Sequence, residues 1–238
     1  MRRYKGDPVP EDVLQEVLLA GTRASNTGNM QVYSMVVTRS AELRDKLSPC
    51  HFDQPCVRQA PVLITFCADL NRFDKWCRQR GAEPGYDNFA WFVNAAIDTV
   101  LASQNVALEA EAHGLGICYL GTTIYTADKI GEILRLPKGV VPVTTLVIGY
   151  PDGQPPVTDR LPLDGVVHYE TYHDYTPGDI DRIWAERESG EETARLLAEN
   201  DLPNLARIFT ERRYTAADNM AISRSYFEYI EKQGFFNR

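Results

Sequence analysis

What this chain of 238 residues lacks narrows its chemistry before any motif is read. No apolar run approaches the length of a bilayer-spanning helix, and Met1-Arg2-Arg3-Tyr4-Lys5-Gly6 has no apolar core of the kind a secretory leader needs, so a cytoplasmic protein without a membrane partner is expected. Excess positive charge is missing too. Against 33 Asp and Glu stand 25 Lys and Arg, a net charge of −8, which makes a nucleic-acid backbone a poor partner. A small anion held by one or two local arginines is still allowed. The five cysteines, at 50, 56, 67, 77 and 118, are odd in number and include no Cys-x-x-Cys pair, the pattern of free thiols in a reducing compartment. The four histidines (His51, His113, His168, His173) show no metal-ligand spacing, and no metal site is expected.

Catalytic constellations are equally scarce. There is no Gly-x-Ser-x-Gly, and no cysteine stands out with a paired histidine. Glu109 and Glu111 lie two apart on an expected helix and do not share a face. The glycines at 114, 116 and 121 miss the Gly-x-Gly-x-x-Gly spacing, and they follow a helix and precede a strand, the reverse of a dinucleotide-binding turn. A chain with donor-rich loops and no acid–base machinery points to chemistry done by a bound cofactor.

What is present is a polar loop, Ser25-Asn26-Thr27-Gly28-Asn29-Met30-Gln31, between an amphipathic helix and a β-branched run. The helix opens at Asp7-Pro8-Val9-Pro10 with acids close behind, and Val13, Leu14, Val17 and Leu18 form its apolar face. Residues 32–38 read as a strand, 42–47 as a short helix, and 61–67 as a central strand buried on both faces. Residues 70–87, polar and dotted with Phe73, Trp76 and Tyr86, read as an exposed excursion; Trp76, Tyr86 and Phe89 are candidates for a pocket mouth or for ordinary loop packing. Residues 88–113 form one long helix with a buried stripe through Phe92, Ala96, Val100 and Ala107, and its low charge suits a core or a subunit interface. Strands are expected at 116–121 and 143–150, a short helix at 127–134, and a last strand or edge segment at 166–172. Beyond Pro177 the chain is charged amphipathic helix. The irregular mixture favours α+β. Arg160 sits in a segment stiffened by Pro155, Pro156 and Pro162, which suits a fixed phosphate ligand or a plain surface charge.

In order along the chain, Arg2 with Tyr4-Lys5, Pro8-Val9-Pro10, residues 25–31, Gln59-Ala60-Pro61, the strand end running to Arg72, Gly114 to Gly121, Leu146 to Pro151, Arg160-Leu161-Pro162 and Lys232-Gln233-Gly234-Phe235 together resemble the FMN-dependent nitroreductase family, in its NADPH-preferring nitroreductase and flavin reductase branch. The resemblance implies an α-β-α sandwich with a central, mainly antiparallel sheet, forming an intertwined homodimer. It implies an FMN-binding core over 1–176 and a C-terminal helical extension of the same domain over 177–238. Arg2 and Arg160 would hold the FMN phosphate, Ser25, Asn26 and Thr27 would lie along the cofactor, Gln59 would bond the flavin, and Tyr119, Leu120, Gly121 and Thr122 would flank its ring. NADPH, or NADH, would donate a hydride in a ping-pong cycle that reduces nitroaromatics, quinones or free flavin, with Arg212 and Arg213 as candidates for the nicotinamide phosphate. Two departures stand out. The chain begins near the end of the family's Arg-x-Ser-x-Arg run, which implies an upstream start or a thinner phosphate clamp, and Thr158 stands where the branch often has lysine. A non-catalytic flavin-binding dimer is the alternative these departures raise.

Overall fold

All eight positions of strand β2 (Val62–Asp69) are buried, and the fold is built outward from it. The computed structural model describes residues 1–155 and 157–236; Pro156, one of the prolines expected to stiffen the Arg160 segment, and the last two residues lie outside the described residues. β2 pairs antiparallel with β1 (Tyr33–Thr38) on one side and with β4 (Val140–Gly149) on the other, and β4 pairs antiparallel with β3 (Gly116–Leu120). The sheet order β1-β2-β4-β3 leaves β1 and β3 as its two edges.

Alternation along the strands gives the sheet two apolar faces. Ile64, Phe66, Leu146 and Ile148 meet Leu14 and Val17 of α1 (Glu11–Thr22) and Val106 and Ala110 of a long central helix. Leu63, Val147 and Leu120 face the other way, toward Leu47 of α2 (Ala41–Leu47), Cys56 and Val57 of α3 (Pro55–Gln59) and Ile130 of α6 (Ala127–Ile133). Helices therefore cover both faces, the expected α-β-α sandwich. The segment expected as an exposed excursion contains a helix, α4 (Asn71–Gln79), whose Phe73 meets Tyr86, as Tyr86 meets Trp91, in T-shaped contacts at centroid distances of 5.4 and 4.6 Å.

The central helix, α5 (Phe89–Ala112), starts where the Asn88 side chain accepts from the Trp91 amide and ends before Gly114, whose φ of +73° suits a glycine cap. Its buried stripe runs through Phe92, Ala95, Thr99, Ala102, Val106 and Ala110, while Val100, expected inside, is 50% exposed. Alanines let the helix approach the sheet closely, so the larger side chains Val93, Ile97, Val100, Leu101 and Leu108 are turned outward into an apolar stripe. Gly116, at the start of β3, is explained by contact: a Cβ there would stand 2.8 Å from Met1 Cγ.

The chain divides into two compact units, residues 1–154 with 222–238, and residues 155–221. In the first, the C-terminal half of α10 (Ala216–Lys232) returns to bury Tyr229 and Ile230 beside Phe92 and Val141. The second consists of α7 (Pro177–Ser189), α8 (Glu191–Asn200), α9 (Leu205–Ile208), a π-helical turn at Phe209–Arg213 and the first residues of α10. Residues 166–172 form no strand; a 3-10 turn at Leu163–Gly165 leads into irregular backbone, held where the Tyr175 hydroxyl donates to the Gly165 carbonyl at 2.9 Å.

Candidate active site

The loop at 25–31 is wound tightly, with positive φ at Gly28, Asn29 and Gln31. Its anchor is Asp98 on α5, 1% exposed. The Thr27 amide donates to both Asp98 oxygens, at 2.9 and 3.1 Å, and the Thr27 hydroxyl donates to Oδ1 at 3.0 Å. Thr27 therefore spends its donors on the scaffold. Asn26 Oδ1 accepts from the Gln31 amide at 3.3 Å, which closes the loop on itself, and Ser25 faces solvent. Arg72 fastens the far side through Gln31 O, Tyr33 O at 3.0 Å and Ser34 Oγ at 3.1 Å, beside an open cleft of about 430 Å³ that reaches Thr22 and Met35.

A second group gathers at the β3 edge. Tyr119, 37% exposed, donates its hydroxyl to Ser103 Oγ of α5 at 3.2 Å, and partial burial raises its phenol above the usual range. Leu120 sends its side chain into the core, and its carbonyl accepts from the Thr123 hydroxyl at 2.8 Å. At Gly121 an added Cβ would meet nothing within 4 Å, and a 3-10 helix (Gly121–Thr126) begins there with its first amides unspent by the turn. Thr122 Oγ1 lies 2.9 Å from Nδ1 of His51. His51 is wholly buried, its Nε2 has no partner among the described residues, and burial pushes its pKa down to about 4, so the ring is neutral near pH 7. The Met1 amine donates to the Ile117 carbonyl at 2.9 Å, which brings the chain's first residues to β3, and Gln59 is exposed at the end of α3, whose Cys56 and Val57 share an apolar cluster with Leu120 and Cys118.

The residues expected to share one site thus fall into separate places. Ser25, Asn26 and Thr27 lead into edge strand β1, while Arg2, Gln59, Tyr119, Leu120, Gly121 and Thr122 gather about edge strand β3. Three strand spacings separate the two edges, about 14 Å. Arg160, Arg212 and Arg213 belong to the second unit. Arg160 Nη1 donates to Thr158 Oγ1 at 2.6 Å and to the Asp159 carbonyl at 2.8 Å, so the threonine found in place of lysine serves as its tether. Arg213 lies over the Phe209 ring at 5.6 Å, and Arg212 is exposed in the same π-helical turn.

Sequence reasoning missed Asp98, Arg72 and His51. For Asp98 a signal existed, since it is the only charged residue between Asn88 and Glu109. His113 Nε2 lies 3.2 Å from both Glu16 and Glu109, a grouping invisible in sequence because Glu16 belongs to another helix.

A family model described as the nitroreductase family matches residues 1–150. The chain belongs to that family, a family of oxidoreductases. It is 30% identical to the FMN reductase (NADPH) of Bacillus subtilis (strain 168) over 175 residues, 73% of this chain and 70% of that protein. Among solved structures it resembles an oxidoreductase-designated protein from Bacteroides fragilis NCTC 9343, with 47% identity, a TM-score of 0.98, and coverage of 100% of this chain and 96% of that one. The NfrA1 nitroreductase from B. subtilis gives 26% identity and a TM-score of 0.82, covering 99% and 94%. Among the described residues no helix is long and apolar enough to cross a membrane.

Proposed function

We propose that this protein is an FMN-dependent NAD(P)H oxidoreductase acting as a homodimer on flat two-electron acceptors such as nitroaromatics, quinones or free flavin. The observation that carries this reading is the division of the donor-rich residues between the two sheet edges, which calls for a second copy to complete each site. The outward apolar stripe on α5 (Val93, Ile97, Val100, Leu101, Leu108) offers the surface on which two copies would meet.

The residues suit the cofactor. They offer neutral donors and acceptors (Ser25, Asn26, Gln59, the amides from Gly121) for the heteroatom-rich edge of an isoalloxazine, and one cation, Arg2, for a phosphate. Asp98 is buried under the loop, and its oxygens are turned to Thr27. Gly121 allows a ring to approach the backbone closely. FMN, when bound, would supply the redox chemistry, accepting a hydride from NAD(P)H in one half-reaction and passing two electrons to the acceptor in the other. The protein's part is to bind and orient. Arg160 would add phosphate charge, and Arg212 with Arg213 would meet the nicotinamide phosphate.

The test is the visible spectrum of purified protein reconstituted with FMN, before and after anaerobic NADPH. A bound flavin band that bleaches and returns with a quinone supports the proposal. A bound flavin that stays oxidised with both NADPH and NADH identifies a binding protein instead.

A further inference from the structure

Glu109 and His113 stand one turn apart at the end of α5, on one face, and Glu16 of α1 reaches them from the neighbouring helix. His113 Nε2 lies 3.2 Å from Glu16 Oε2 and 3.2 Å from Glu109 Oε1, and the three ligand atoms all lie within 4.8 Å of one another. Among the described residues no other three His, Cys, Asp or Glu ligand atoms are that close. The frame beneath them is firm, because Val17 on α1 and Ala110 on α5, the next residues along the chain, are buried in one apolar cluster. A single Nε2–H cannot line up with two carboxylates at once, so hydrogen bonding within the group answers only one of them. The last turn of α5 adds the negative end of a 24-residue helix.

We propose that Glu16, Glu109 and His113 form a binding site for a divalent ion of the zinc class, which staples α1 to α5. In a tetrahedral zinc shell, metal–ligand distances of about 2.0–2.2 Å set the ligand atoms roughly 3.3–3.6 Å apart. Two of the three spacings here already stand at 3.2 Å, and rotation of the Glu16 side chain, 63% exposed, adjusts the third. Imidazole selects zinc, cobalt or nickel over magnesium and calcium, which take oxygen ligands. His113 ligates through the Nε2 lone pair, so the neutral ring carries its proton on Nδ1, and the two carboxylates balance the charge of the ion. A water supplies the fourth ligand on the exposed side of Glu16. α1 ends at Thr22, three residues before Ser25, so the staple holds the helix from which the polar loop departs. The expectation of no metal site rested on histidine spacing along the chain, which misses a ligand set drawn from two helices. The proposal does not rest on the flavin reading.

The test titrates ZnCl2 into full-length, untagged, chelator-treated protein in excess Mg2+, followed by calorimetry, and repeats the titration with CoCl2, followed by absorption. One zinc ion per chain is expected, undisturbed by Mg2+. Glu16→Gln and His113→Gln are each expected to weaken its binding by about tenfold or more. Glu16 is exposed, so its variant keeps the fold and decides the matter even where the His113 variant does not. Cobalt is expected to give d–d bands without the thiolate charge-transfer band that binding at a cysteine produces. That readout separates the site from Cys118, the half-buried member of the five free thiols. No zinc binding overturns the proposal, as does an affinity unchanged by Glu16→Gln, displacement by Mg2+, or a thiolate band that grows with the first equivalent of cobalt.

Discussion

Thr27 gives Asp98 both its backbone N–H and its hydroxyl, and the carboxylate accepts them where it is almost completely buried. A loop of polar residues is thereby fixed to the longest helix of the fold. Asp98→Ala leaves two donors unanswered and is expected to cost about 2–4 kcal/mol in urea unfolding. Thr27→Val removes only the hydroxyl and is expected to cost about 1 kcal/mol. FMN titration followed by fluorescence is expected to weaken in the same order, the looser loop binding worse.

His51 makes stability depend on pH in a defined direction. Its folded pKa, about 4, lies below the ordinary value of 6.5, so the unfolded chain binds the extra proton between those limits. The contribution is fully present above pH 6.5 and is lost as pH falls toward 4. The loss approaches about 3 kcal/mol at pH 4, at ~1.4 kcal/mol per pH unit. Denaturation curves from pH 7 to pH 4 measure it, and His51→Asn is expected to flatten that part of the profile. An unchanged profile in the variant would sink the assignment.

A Cβ on Gly131 would stand 2.0 Å from the Tyr229 hydroxyl. Gly131→Ala is expected to destabilise the first unit by roughly 1–3 kcal/mol, because α6 and the returning end of α10 must part. Tyr229→Phe in the same chain relieves part of the clash, although the ring carbon at 2.9 Å still presses. A double-mutant cycle in thermal unfolding is expected to show coupling between the two sites.

If α5 supplies the meeting surface of two copies, a charge on its outer stripe separates them. Ile97, 52% exposed, is the position of choice. Ile97→Glu is expected to turn a dimer into a monomer by light scattering, with an unchanged far-UV spectrum and loss of bound FMN. A dimer that persists and retains flavin would place the interface elsewhere.

Much of the fold was legible in the chain, for identifiable reasons. The apolar run at 61–67 announced a strand covered on both sides, and Gly114 marked the end of the long helix; that Asn88 caps its start came only from the structure. The face of that helix was harder to read. Val100 looked like core by hydrophobicity, yet the alanines at 95 and 102 won the inside because small side chains permit close packing. The segment at 166–172 has the valines and tyrosines of a strand, but no sheet edge pairs with it. Of the candidate site, the loop at 25–31 and the residues after Tyr119 were readable from donor density and glycine placement. The roles of Asp98 and His51 were not, because each depends on a partner 71 residues away in the chain.

The first unit begins at residue 1 but is finished by residues 222–238. During synthesis, then, the pocket that receives Tyr229 and Ile230 stays open until the segment from 155 to 221 has been made. The segment from 155 to 221 enters and leaves as an excursion from a body that must wait for it. That arrangement delays completion of the core of the first unit until the second has been made.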